Sequence, residues 1–110
     1  LWGWDRDGEC LTHLSGQTQG VRALGSADLS LCDLASGSAD GSWEYGTYPW
    51  DVAAGIVIAR AAGARITDRN GDPYELTYQT DSRKELLASN GPLHPALLTR
   101  VRESDELLGE

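Results

Sequence analysis

Residues 51–62 constrain the fold of this chain more than any other stretch. Asp51 is placed to cap a helix that runs to about Ala62, where Gly63 ends it. Along that helix Val52, Ala53, Ile56, Val57, Ile58 and Ala59 leave almost no polar face. A helix apolar on nearly every side belongs in the middle of a protein, because each face left in water forfeits the burial that stabilises it. The sequence therefore asks for layers of structure on both sides of this helix.

The remaining segments supply the layers. Ser26 reads as an N-cap and Gly37 as a C-terminal stop for a helix over about 26–36, with Ala27, Leu31 and Leu34 at helical spacing from Leu24. Residues 42–45 alternate as a short strand, and Pro49 keeps Tyr48 out of helical geometry, so 46–49 reads as a loop. A strand over 64–68 is followed by an Asn70-Gly71 turn and a return on which Tyr74, Leu76 and Tyr78 alternate. A polar loop over 79–83 leads to a compact apolar strand at 85–89. The last helix starts near Pro95 and puts Leu97, Leu98, Val101 and Leu107 on one side, with residues 103–110 expected to fray. At the other end, residues 10–14 read as a short strand, and Trp2 and Trp4 as anchors of an edge strand. Strands alternating with helices argue an α/β fold, a layered sandwich with a mixed sheet flanked by helices.

At 110 residues the chain is expected to form one domain. Its formal net charge of −8 leaves no basic stripe for nucleic acid and would repel an anionic membrane surface. The same acidity suits either a solubilising surface or a protein that collects divalent cations. No run of about eighteen apolar residues is present to cross a membrane. Cys10 and Cys32 are too few for a disulfide framework, which points to a reducing, cytoplasmic setting. A start at Leu1 followed by Trp2-Gly3-Trp4 reads as the middle of a longer polypeptide.

Few residues stand out as chemical. Asp51 has two readings: a helix cap, or a metal carboxylate on a rigid helix start where Ala53, Ala54 and Gly55 leave room for a ligand. Glu44 is either a solvent-side strand residue or an acceptor for the hydroxyls of a diol. Gly25-Ser26-Ala27 is a small-residue helix start that a ligand could approach. His13 and His94 stand in unrelated contexts, with His94 read as a cap of the last helix. The cysteines lack CxxC spacing or a neighbouring His, and no GxSxG, GxGxxG or Walker-type loop is present.

In combination these residues are more specific. Gly25-Ser26-Ala27, Leu31-Cys32, Ala35-Ser36-Gly37, Ala39-Asp40-Gly41, Glu44 and Pro49-Trp50-Asp51-Val52-Ala53-Ala54-Gly55 together resemble the carboxy-terminal half of the inositol monophosphatase family. The Trp-Asp-x-Ala-Ala-Gly run, followed by Ala62-Gly63 and by Thr67-Asp68-Arg69-Asn70-Gly71-Asp72-Pro73, is similar to the family's second signature. Ala88-Ser89-Asn90 with His94-Pro95 resembles the end of such a chain, so the likeness extends over about residues 20–102.

The resemblance implies a magnesium-dependent phosphomonoesterase acting on inositol 1-phosphate or a related polyol or sugar phosphate. It implies that Asp51 is a catalytic magnesium ligand that also touches substrate. It further implies that Glu44 binds substrate hydroxyls and that Gly25, Ser26 and Ala27 contact the substrate ring. Residues 1–110 would then be the carboxy-terminal domain. The expected partners are a small phosphate ester and the missing amino-terminal half of the fold, with a homodimer left open and neither nucleic acid nor membrane involved.

Three departures from the family pattern qualify this. The first signature, Asp-Pro-Ile/Leu-Asp-Gly-Thr/Ser, and the upstream metal glutamate are absent, so the 110 residues alone are expected to be inactive. Ala61-Ala62-Gly63-Ala64 replaces the usual Glu-Ala-Gly-Gly, and Asp28 stands where a small residue is usual. Competing expectations are a related phosphatase acting on histidinol phosphate, fructose 1,6-bisphosphate or 3′-phosphoadenosine nucleotides, or a non-catalytic α/β fragment.

Overall fold

In the computed structural model, which describes residues 4–76 and 84–107 and the side chains of 8–76 and 85–107, the elements follow in the order α1 (Trp4–Ser15), α2 (Ala27–Ser36), β1 (Gly41–Thr47), α3 (Pro49–Ala61), β2 (Arg65–Thr67), β3 (Lys84–Ser89) and α4 (His94–Leu107). β3 organises them. Leu86, Leu87 and Ala88 are fully buried because β3 is the central strand and both of its faces are covered. Successive side chains point to opposite faces of the sheet. Leu86 and Ala88 join Leu31 and Leu34 of α2, Val52, Ile56 and Ala59 of α3, and Ile66 and Tyr74. Leu87 joins Cys10 and Leu14 of α1, Tyr45 of β1, and Leu97 and Val101 of α4. Helices therefore cover both faces, giving the layered α/β sandwich.

The strand order is β1-β3-β2, with both pairings antiparallel. β1 and β2 consequently run parallel to each other, joined by α3 as a crossover, with β3 inserted between them in the opposite sense. The expected mixed sheet is thus corrected for the described residues: strand directions are mixed, but no parallel ladder forms, because β3 separates the two parallel strands.

Helix ends follow local chemistry. Ser26 is extended (φ −144°, ψ 116°) and its Oγ accepts the Leu29 N–H at 3.2 Å. Gly37 takes the left-handed conformation (φ 85°) that closes α2. α3 begins earlier than expected. Tyr48 is its N-cap and Pro49 its first residue, where a missing N–H costs no hydrogen bond and the fixed φ favours the helix.

Several expectations are corrected. Residues 10–14 belong to α1 and not to a strand; Cys10 and Leu14, one turn apart, pack on α4, and His13 Nε2 lies 3.0 Å from Glu103 Oε1. Trp4 begins that helix instead of anchoring an edge strand, and Trp2 lies outside the described residues. The return after the Asn70-Gly71 turn is a single bridge, Thr67 to Pro73, plus Tyr74 N–H to Ile66 O at 3.2 Å. Pro73 has no N–H with which to continue a ladder. Tyr78 and the loop 79–83 fall outside the described residues.

Residues 103–107 do not fray. Ser104 and Asp105 are buried, Asp105 pairs with Arg69, and Tyr45 OH donates to Asp105 Oδ1 at 3.3 Å. Arg69 also pairs with Glu85 at 3.2 Å, so a charged network ties the 68–73 turn to β3 and α4. Leu107, expected on the packed side, is 62% exposed.

The central helix is the largest surprise. α3 buries Val52, Gly55, Ile56 and Ala59 on one stripe against α2 and the sheet. Its opposite stripe, Trp50, Ala54, Val57, Ile58 and Ala61, is exposed, with Val57 at 66% and Trp50 at 57%. Among the described residues, layers cover one side of α3 only.

Candidate functional site

The candidate residues sit on three elements that meet on one side of the sheet. β1 carries Glu44, which pairs directly with Leu86 of β3. Leu86 packs under α2 and α3, so Glu44 is on the face those helices cover. A bulge between Glu44 and Thr47 contains Gly46 at φ 76°, a left-handed conformation suited to glycine. Beyond it, the end of β1 turns into the start of α3.

Asp51, expected as the N-cap, is instead the third residue of α3, three positions beyond the Tyr48 cap. Its Oδ2 accepts the Tyr48 N–H at 3.1 Å, while its own N–H donates to Tyr48 O at 2.9 Å. This is the reach-back half of a capping box. The carboxylate therefore neither folds onto the amides of residues 53 and 54 nor stands clear of the backbone. It is exposed at the helix start, and the adjacent residue in sequence, Trp50, stacks its ring on Tyr48 with centroids 4.8 Å apart and planes within 7°.

Gly25, Ser26 and Ala27 form the entry to α2. Gly25 has φ 75° and open space where a Cβ would stand, and the Ser26 hydroxyl is engaged as the cap. Asp28, in the first turn, joins the two helices: its Oδ1 accepts the Gly55 N–H at 2.8 Å. Gly55 lies one helical turn beyond Asp51 on the same side of α3. The entry to α2 and the first turns of α3 are thus held together.

His94 belongs elsewhere. It is buried at the start of α4, with Nε2 2.8 Å from Thr67 Oγ1 and Nδ1 2.7 Å from Ser89 Oγ. Thr67 Oγ1 also donates to Asp68 O at 2.8 Å, and Ser89 Oγ accepts the Gly91 N–H at 3.2 Å. A neutral ring protonated at Nε2 gives every contact one donor and one acceptor. Burial first, and then the positive charge of Arg65, lower its pKa below the ordinary 6.5. The expectation that His94 merely caps α4 is corrected: it ties α4 to the ends of β2 and β3.

A concavity is lined by residues 68–70, 72–75 and Glu85, and none of the candidate residues lines it. Of its acidic groups, Asp68 accepts the Asn70 and Asp72 N–H groups through Oδ1, and Glu85 pairs with Arg69. Among the described residues no three His, Cys, Asp or Glu side chains gather to hold a metal. Likewise, none of the described helices is long and apolar enough to cross a membrane.

Comparison with known proteins adds the remaining findings. The sequence model of the inositol monophosphatase family matches residues 6–106. An inositol-1-monophosphatase of Synechocystis sp. is 48% identical over 87 residues, covering 79% of this chain and 28% of that protein. The solved inositol monophosphatase of Anabaena superposes with a TM-score of 0.78 at 35% identity, covering 91% of this chain and 40% of that one. An IMPase of Thermotoga maritima superposes at 0.83 with 30% identity, covering 94% of this chain and 39% of its own length. These 110 residues thus span well under half of each of these relatives.

Proposed function

The chain belongs to the inositol monophosphatase family, and we propose that it supplies the carboxy-terminal part of a magnesium-dependent phosphomonoesterase acting on inositol 1-phosphate or a related polyol or sugar phosphate. The observation that carries the reading is the tie between the entry to α2 and the first turns of α3, on the sheet face that also bears Glu44. Two helix starts on one side present N–H groups and partial positive charge to a phosphate, and a carboxylate on that face accepts hydrogen bonds from the alcohol it esterifies.

Asp51 fits magnesium in kind, being an exposed carboxylate of hard oxygen donors on a rigid helix start. In this reading it is the one ligand from these residues, and the others come from polypeptide beyond them, from water and from the substrate. Bound magnesium would neutralise phosphoryl charge and acidify a water molecule. Asp51 also touches the substrate, Glu44 receives its hydroxyl protons in hydrogen bonds, and Gly25, Ser26 and Ala27 lie against its ring. Gly25 leaves open space there.

The exposed stripe of α3 is the surface on which the amino-terminal half of the fold would rest, providing the second layer that the sequence of this helix requires. Neither Cys10 nor Cys32 is disulfide-bonded, in keeping with a cytoplasmic location.

The test is Glu44→Gln in the complete polypeptide. Loss of a charged acceptor is worth roughly 1.5–3 kcal/mol, so kcat/KM for inositol 1-phosphate should fall about ten- to a hundredfold. Phenyl phosphate, which offers no hydroxyls, should be turned over nearly as before. Equal losses on both substrates contradict the role given to Glu44.

A further inference from the structure

We infer that Asp28 is a positioning residue, which through Gly55 sets the register of α2 against α3 and so places Gly25, Ser26 and Ala27 relative to Asp51. The inference rests on the reading of those segments as the substrate and metal site.

Asp28 is the second residue after the Ser26 cap, and it is half-buried. The bond from Gly55 N–H to its Oδ1 turns the carboxylate toward α3, so it does not stand at the helix entry as an unengaged charge. Gly55 is a point of close contact between the two helices. A Cβ there would stand 2.8 Å from Asp28 Oδ1 and 2.9 Å from both Cβ and Cδ1 of Leu31. The apolar contacts around it, from Leu31, Val52 and Ile56, are non-directional and tolerate small slides along the helix axes. A short hydrogen bond to a carboxylate is directional and does not. Since Gly55 follows Asp51 by one turn and Asp28 follows the Gly-Ser-Ala entry directly, this single bond transmits position between the two parts of the site. The role depends on where the acceptor oxygen stands and not on its charge.

Three substitutions separate geometry from charge. Asp28→Asn keeps an acceptor oxygen in place. Asp28→Glu keeps the charge but lengthens the arm by a methylene into space that Leu31 and Gly55 already fill. Asp28→Ala removes the acceptor. In the 110-residue chain, the Gly55 amide proton should move upfield in Asp28→Ala, which removes its acceptor, and should move less in Asp28→Asn, which keeps one. In the complete polypeptide with magnesium, Asp28→Ala and Asp28→Glu should each lose about tenfold in kcat/KM on inositol 1-phosphate and under about twofold on phenyl phosphate. Asp28→Asn should stay within about twofold of wild type on both.

A Gly55 amide proton with the same shift in Asp28→Ala as in the wild type removes the tie. Equal losses on the two substrates, or an Asn variant as impaired as the Ala variant, remove the positioning role. A wild-type polypeptide that hydrolyses neither ester removes the site reading and the positioning role with it. The Gly55 amide shift then still decides whether Asp28 joins the helices.

Discussion

Replacing Gly55 with alanine pits two effects of opposite sign against each other. In an open helix interior Gly→Ala stabilises by about 1 kcal/mol, because alanine has less backbone freedom to lose. Here the new methyl would stand 2.8 Å from Asp28 Oδ1 and 2.9 Å from two carbons of Leu31, all closer than Cβ atoms normally come. Leu31 is fully buried and cannot swing aside, so α2 must move away from α3. Overpacking of this kind costs about 1–3 kcal/mol. Separation of the helices also lengthens the 2.8 Å Asp28–Gly55 bond, and a hydrogen bond to a charged group contributes roughly 1.5–3 kcal/mol. With partial relaxation the net expectation is a loss of about 2 kcal/mol. At roughly 4–8 °C per kcal/mol for a domain near this size, Tm falls by about 8–16 °C. The assay is urea and thermal unfolding of the 110-residue chain beside Gly55→Ala, followed by circular dichroism. An unchanged or raised Tm refutes the close helix contact and the polar tie together.

Two further outcomes follow from the structure. Below pH 6.5 the unfolded His94 takes up a proton that the folded ring resists, so stability should be greatest above that pH and should decline as pH falls below it. His94→Gln should shrink the drop in urea midpoint between pH 7.5 and 5.5, and an undiminished drop would show that other groups cause it. Val57→Asp should change the stability of the 110-residue chain by no more than about 0.5 kcal/mol, since the side chain faces water. In the complete polypeptide the same substitution should cost several kcal/mol by burying a carboxylate at the layer interface; equal small effects in both would mean that nothing covers this stripe.

How much of this was legible in the sequence depends on how local the signals are. α2 could be read because Ser26 and Gly37 are caps that act within four residues. β3 could be read because Glu85-Leu86-Leu87-Ala88-Ser89 is a compact apolar run of strand length. α1 is not legible because the polar run of residues 5–9 separates Trp4 from the apolar Cys10, Leu11 and Leu14, and its helical state is set by packing of Cys10 and Leu14 on α4. The end of α4 is not legible for a similar reason: Asp105 looks like a solvated acid until Arg69 and Tyr45 are brought to it by the fold. His94 depends on Thr67, 27 residues away, and Asp28 on Gly55, also 27 residues away. No periodicity encodes such pairs. Within the candidate site, residue types and helix starts were visible, whereas the start of α3 at Pro49 and the reach of Asp51 back to Tyr48 emerged only from the backbone.

The most direct test of the proposed function is phosphate release from inositol 1-phosphate as magnesium is titrated, with the complete polypeptide compared with its Asp51→Asn variant. The Asn side-chain oxygen can still accept the Tyr48 N–H, so the helix start and the melting temperature should be preserved. Asn is a poorer magnesium ligand, so activity at saturating magnesium should fall at least about a hundredfold, a loss of ~2.7 kcal/mol in transition-state stabilisation. A variant that folds normally and stays nearly fully active would make Asp51 a helix-capping residue and contradict the proposed site.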